Sequence, residues 1–376
     1  MPARAAGCAP GSSTALKIDC QGPQIAVPGR SGPWVAAPSQ RGWSRWERGH
    51  GSAALSQAIV AQRAGLTPPA LSQFESGAAR PAAATQDRLS TVLEVPTAFF
   101  ALPLLDTHEG FFRSLRRTAV ADRRRARAVA HIAHDLATCG GAAARIPPPS
   151  VPRISVTTVG NDGEDVDRIA AEVRTVWGIP RGPIANVVEL LESHGVIVTR
   201  LPLGSTDVDA FSLPFSDRPI VVLGVEKNDR ARSRFDAAHE LGHLVLHGEQ
   251  VWGMPETERQ AHRFAASFLM PAQDIADQLP QRTDWPRLFE LKRRWQVSLA
   301  ALLMRARSLG CMAEGDYLTA VKASSARGWR RLEPVPLGAP EQPQLLRTLL
   351  EAPSGELCRG MLPTSVVDQL AQAVAV

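Results

Sequence analysis

The 376-residue sequence is poor in several things, and each scarcity narrows what the chain can be. No run approaches the roughly 18 to 20 uninterrupted apolar residues that a membrane helix needs, and the N-terminus lacks the basic-then-apolar order of a secretory signal. The expectation is a cytoplasmic protein with no membrane partner. Cysteine is sparse: Cys8, Cys20, Cys139, Cys311 and Cys358 are odd in number and scattered, with no Cys-x-x-Cys pair. That excludes a disulfide scaffold and a thiolate metal site, and it leaves the five as reduced bystanders. Lysine occurs only at positions 17, 227, 292 and 322, so positive charge is almost wholly arginine. Neither a disordered nor a collagen-like polymer fits a composition of 44% hydrophobic and 21% charged residues. The length allows two or three domains.

The charge that is present is unevenly placed. Residues 1–150 carry a net +8 and residues 151–376 a net −3, which makes the N-terminal part the one expected to meet nucleic acid. Residues 1–50 are rich in Gly, Pro, Ser and Ala without a period of 3.6 or 2, and read as an irregular tail. From Leu55 helical spacing sets in up to Gly65. A second short helix opens at Thr67, a good N-cap followed by Pro68, and closes near Gly77. A third spans about 82–93, and no convincing helix precedes Leu55.

The stretch 55–77 resembles the repressor-type helix-turn-helix of the Xre family, with the resemblance running to Phe100. It implies a DNA-binding module over 51–105, in which the segment from Thr67 through Ser72 to Gln73 enters the major groove and Gln57 grips a phosphate. Pro68 and Pro69 depart from the polar residues usual at the reading positions. Such modules often pair to match two half-sites, so a homodimer is a further expectation. Seven of residues 111–127 are arginine, among them Arg116 and Arg117, which could track a phosphate backbone. The plainer reading of 106–150 is a basic helical linker with a solvated charged face, ended by the proline run at 147–149.

Beyond that break, 165–177 and 184–193 read as helices, and 196–201, 209–214 and 218–225 as strands. This order predicts an α+β fold: an all-α N-terminal unit, then a domain over 151–330 with a small antiparallel or mixed sheet flanked by helices. Residues 285–306 add two core helices meeting near Val297, and 331–376 read as a short helical appendix without nameable chemistry.

The most informative helix follows the last strand and contains His-Glu-x-x-His at 239–243. His239 and His243 lie four apart, so their rings share one helix face and can converge on one tetrahedral metal. Glu240 flanks that face, where a carboxylate can take a proton from an attacking water and pass it to a leaving amine. Chance produces the motif about 0.01 times in a chain of this composition. His247 lies about 12 Å along the axis from His239, too far to share the metal. It reads instead as a helix C-terminal residue whose partly positive ring suits the dipole.

A third ligand must come from elsewhere. On the helix beginning near Glu258, the residues Ala261, Phe264, Ala265, Phe268 and Leu269 form one apolar stripe. Glu258 sits three residues before Ala261 on that stripe, where an inward carboxylate is costly unless it is paired or metal-bound. His262 is a partner behind the ligands or a rival ligand.

The run Arg-Phe-x-x-Ala-His-Glu-Leu-Gly-His-Leu-x-Leu-His at 234–247, with Glu-x-x-Ala-x-x-Phe-Ala-Ala-x-x-Leu-Met-Pro at 258–271, resembles the ImmA/IrrE metallopeptidases. The likeness extends over most of 105–330, and such domains are commonly fused behind an Xre-type helix-turn-helix. It implies a gluzincin-like site with His239, His243 and Glu258 as zinc ligands, Mn2+ as the alternative metal, and Glu240 as general base. It further implies a regulatory endopeptidase that cuts a specific protein, a transcription repressor. The position after Ala261, usually Asn or Asp in that family, is His262 here. The alternative is a transcription factor whose peptidase-like domain only senses a metal or ligand.

Overall fold

Alternation of side chains in three short strands builds the centre of the protein. The computed structural model describes residues 45–53, 55–103, 105, 107, 120–141, 146–154, 163–203, 209–247 and 255–372. Four helices come first: α1 (Arg45–Ser52), α2 (Gln57–Arg63), α3 (Pro68–Glu75) and α4 (Ala83–Leu93). After the long α5 (Val120–Gly141) follow α6 (Gly163–Val176) and α7 (Val187–Ser193), then β1 (Ile197–Leu201), β2 (Ala210–Leu213) and β3 (Ile220–Gly224). The remainder is helical: α8 (Arg230–Leu246), α9 (Pro255–Leu269), α10 (Ala272–Ile275), α11 (Trp285–Trp295), α12 (Leu299–Ser308), α13 (Glu314–Ala326), α14 (Leu345–Glu351), α15 (Pro353–Met361) and α16 (Thr364–Gln372). Among these, no helix is long and apolar enough to cross a membrane.

Of the antiparallel and mixed alternatives the sheet is the mixed one, in the order β1-β3-β2. β1 runs parallel to β3 with Ile197 beside Ile220, and β2 runs antiparallel to it with Ser212 beside Val221. Both faces are covered. Val198, Val221 and Leu223 face a core built from α6, α7, α8, α9, α11 and α12. Ile197, Phe211, Ile220 and Val222 face a second core built from α2 to α5 and α14 to α16. Successive side chains of a strand point to opposite faces, so the run of four apolar residues from Ile220 to Leu223 serves both cores.

Three expectations are corrected on the second-core side. The irregular tail does not extend to residue 50, because α1 starts at Arg45. This helix also supplies the element missing before Leu55, and it packs on α3 and α5. It escapes a hydrophobic-period reading because its inward side chains are charged: Arg45 and Arg48 are buried and both pair with Asp135 of α5. Second, α5 is not a solvated linker. Residues 126–137 are buried throughout, with Val129, Ile132 and Leu136 in the core and His134 stacked on Phe215 while its Nε2 meets Asp217 at 2.9 Å. The N-terminal end of the helix, with Arg124 and Arg125, is exposed. Third, 331–376 is not an appendix, since α14 to α16 complete the second core.

Residue Glu341, ahead of α14, makes that attachment specific. One of its oxygens accepts from the backbone N–H of Val187 (2.8 Å) and Val188 (3.2 Å), capping α7, while the other pairs with Arg234 of α8. Glu192 returns the favour, accepting from Gln344 N (2.9 Å) and Leu345 N (3.0 Å) at the start of α14. Glu341→Ala strands a buried guanidinium and should cost about 3 to 5 kcal/mol of unfolding free energy in a urea titration.

Stability should also fall in acid. Burial, then the charges of Arg48 and Arg127, hold His131 well below its ordinary 6.5, so the folded protein keeps it neutral. The unfolded chain takes up a proton there near pH 6.5, so unfolding binds protons below that pH and stability drops as pH falls. One such group contributes a slope of up to about 1.4 kcal/mol per pH unit. His131→Phe should remove that share of the slope, read from unfolding free energies at about pH 7 and about pH 5.5.

Candidate metal centre

The site is made where α8 and α9 cross beneath the sheet. Asp229 starts α8 by accepting from Arg232 N at 2.8 Å, which sets the phase of the helix. From there the 3.6-residue period brings His239 and His243 to one face, with their Nε2 atoms 3.1 Å apart. α9 crosses α8 at Gly242. A side chain at that position would meet Phe264 Cδ1 at 3.1 Å and the Ala261 carbonyl oxygen at 3.2 Å, so the glycine is what lets the two backbones approach. Glu258 stands one turn before Ala261 on α9, and its carboxylate oxygens lie 3.4 Å from His239 Nε2 and 3.8 Å from His243 Nε2.

These three donors fit a metal ion. Ligand bonds of 2.0–2.2 Å in a tetrahedron place donor atoms about 3.3 Å apart, close to the separations found. Glu240 also comes near, since donor atoms of His239, Glu240 and His243 lie within 4.8 Å of one another. Its Oε2, however, accepts a 2.6 Å hydrogen bond from Ser212 Oγ of β2, which turns it off the His239–His243–Glu258 triangle. Ser212 points to this face because Phe211 and Leu213 on either side point to the other core. A polar residue in a buried strand was the available signal for it, and sequence reading passed it over.

Electrostatics in the pocket follow from burial. Glu240 is only 4% exposed, and desolvation pushes its carboxyl up to about 7 against the opposing pull of His239 and Ser212. Burial, with His239 and His247 nearby, holds His243 well below the ordinary histidine value, so it is the neutral imidazole that a ligand must be. For His239 burial acts downward, but the Glu258 hydrogen bond and the Glu240 and Asp236 carboxylates outweigh it and raise the value. One turn earlier on α8, burial and then Asp209 push Asp236 up to about 8.

Residues 191–307 match the sequence model of the IrrE N-terminal-like domain, the Peptidase_M78 family. The matched span runs from the end of α7 to α12 and contains the sheet, α8 and α9, and so the whole His-Glu-His-Glu arrangement. No curated protein matches the chain. The match does not reach α1 to α6 or α13 to α16.

The remaining predicted residues divide. His262 is exposed and rests against Phe235, with ring centroids 4.7 Å apart, and stands 6.3 Å from the His239 ring. It makes no hydrogen bond to the donors, so the place expected for it behind the ligands is corrected. That place belongs to His247 and Gln260. His247 does end α8, as its C-cap, but it is 1% exposed and burial lowers its pKa, so the ring is neutral and interior rather than partly charged. In the N-terminal unit, Ser72 and Gln73 are exposed on α3, while Thr67 caps α3 by accepting from Ala70 N at 3.3 Å. Gln57 is half-buried and donates one N–H of its amide to Glu75 Oε2 at 2.5 Å. Arg116 and Arg117 lie outside the described residues.

Gly242 offers a test that removes no donor. Gly242→Leu must push α9 away from α8 and carry Glu258 with it. The expected outcome is at least a tenfold weaker zinc affinity in a chelator competition, with the far-ultraviolet circular dichroism unchanged. Equal affinity would show that the helix crossing does not set the donor geometry.

Proposed function

We propose that the chain is a DNA-binding regulator whose 151–330 region is a zinc-dependent endopeptidase acting on a specific protein, a transcription repressor. The observation that carries the peptidase half is the meeting of Glu258 with His239 and His243 across the α8–α9 crossing, with Glu240 beside them. His239, His243 and Glu258 would hold Zn2+ or Mn2+, which would supply Lewis acidity toward a peptide carbonyl and lower the pKa of a water. Glu240 takes up the proton of the attacking water. Ser212 occupies its Oε2, which leaves Oε1 to receive that proton and deliver it to the leaving amine. The family match over 191–307 supports the same reading.

The DNA-binding half rests on α2, a turn through Gly65 at φ +65°, and α3, backed by α1. With Thr67 used as a cap, base reading falls to the exposed Ser72 and Gln73.

Two substitutions separate binding from chemistry. Glu258→Ala should lose most of its zinc, measured as metal per purified chain. Glu240→Gln should keep its zinc and cleave the protein substrate about 10²- to 10⁴-fold more slowly. A wild-type chain that holds no zinc after loading would sink the peptidase reading. Unchanged transcriptional output in Glu240→Gln, with specific operator binding, would favour a sensor over an enzyme.

A further inference from the structure

The three histidines of α8 and its end recur every fourth residue, at 239, 243 and 247, and the third is too far along the axis to share a metal with the first. Its ring is nonetheless buried and joined to the site on one side and to α9 on the other. His247 Nδ1 lies 3.0 Å from His243 Nδ1, and His247 Nε2 lies 3.0 Å from Gln260 Oε1. Gln260 is two residues after Glu258, so the helix that brings the carboxylate also brings this amide.

We propose that Gln260 and His247 are positioning residues that dictate which ring nitrogen of His243 carries its proton, and so keep His243 Nε2 free to bind a metal. The proposal rests on the reading of His243 as a ligand. A neutral imidazole has one N–H and one bare nitrogen, and two nitrogens in hydrogen-bond contact must take opposite roles. The Gln260 carbonyl oxygen can only accept, so His247 Nε2 donates to it. His247 Nδ1 is then bare and accepts from His243 Nδ1–H. His243 Nε2 is left with a lone pair, which faces Glu258 and accepts from His239 Nε2–H at 3.1 Å.

Turning the amide of Gln260 over reverses every step. Its NH2 would donate to His247 Nε2, His247 would donate to His243, and the His243 proton would sit on Nε2 in the middle of the donor set. A single uncharged side chain at the far end of the chain therefore decides whether the near end can ligate. His239 has no such support: its Nδ1 is buried without a hydrogen-bond partner, and its position is fixed instead from the Glu258 side. Ligands supported from behind lose about 10- to 100-fold in metal affinity when the supporting partner is removed.

The test uses the full chain and zinc itself. Gln260→Leu removes the acceptor at similar volume and should weaken zinc binding about 10- to 100-fold in a chelator competition. Gln260→Glu keeps an acceptor and should retain at least wild-type affinity. Adding Gln260→Leu to His247→Phe should cost nothing beyond His247→Phe alone, since the relay is already cut. Independently of any variant, 15N spectra of histidine-labelled, zinc-free wild type should show His243 protonated at Nδ1 with Nε2 bare. Wild-type affinity in Gln260→Leu, equal losses in Gln260→Leu and Gln260→Glu, or an Nε2–H signal for His243 would each overturn the relay. A wild-type chain that binds no zinc would instead overturn the metal reading itself, and the relay with it.

Discussion

The site depends on how closely α8 and α9 cross. Two histidines four residues apart can be placed by one helix alone, but a third donor 3.4 Å from His239 needs a second helix at a distance that an ordinary side chain at position 242 would prevent. The glycine inside the His-Glu-x-x-His motif thus has a separate job from its neighbours. It carries no chemistry and fixes where Glu258 stands. The apolar stripe of α9, with Ala261, Phe264 and Phe268 buried, is the other half of the same constraint. Small and aromatic residues alternate along the crossing so that the helices interlock rather than slide.

Behind that crossing, the sheet serves as a plate between two cores. Its site-facing side presents Ser212 to Glu240, and its other side is filled by Phe211, Ile220 and Val222 against α5 and the C-terminal helices. A shift of one residue in β2 would turn Ser212 away and point a large apolar side chain at the carboxylate. The position of Glu240 is therefore secured by strand register, which is secured in turn by helices well outside the matched family span. Glu341 adds to this: by capping α7 and pairing with Arg234 on α8 it ties the last part of the chain to the helix that carries the histidines.

What could be read in the sequence was whatever a local period fixes. The helical spacing of His239 and His243, the apolar stripe that turns Glu258 inward and the Thr67 cap all belong to single elements. What could not be read depended on distant partners. α1 looked irregular because its inward side chains are arginines, which are buried only because Asp135 waits for them ninety residues later. α5 looked like a solvated linker because its arginines are conspicuous, while the Ala, Val and Ile run that buries it is weakly hydrophobic. Glu341 has no local signal at all. The contact of His247 with Gln260 lies across to the next helix, so no period within α8 shows it. The four-residue step that puts His247 too far from His239 to share a ligand set is the same step that puts its ring within 3.0 Å of His243.

Burying Arg45, Arg48 and Asp135 together has a consequence for how the two halves of the protein relate. Breaking one member of such a cluster leaves an uncompensated buried charge, which costs about 3 to 5 kcal/mol. The N-terminal helices therefore do not swing as a bead on a string. They share a continuous apolar core with the outer face of the sheet, and α5 runs from that core to the loop before β3 through the His134–Asp217 contact and the stacked Phe215. Anything that displaces α1 must disturb α5, and α5 is packed against the same β1 and β3 whose opposite faces support α8. The helical unit and the helix that carries the histidines are thus separated by one layer of sheet rather than by a linker, and a change imposed on one has a packed route to the other.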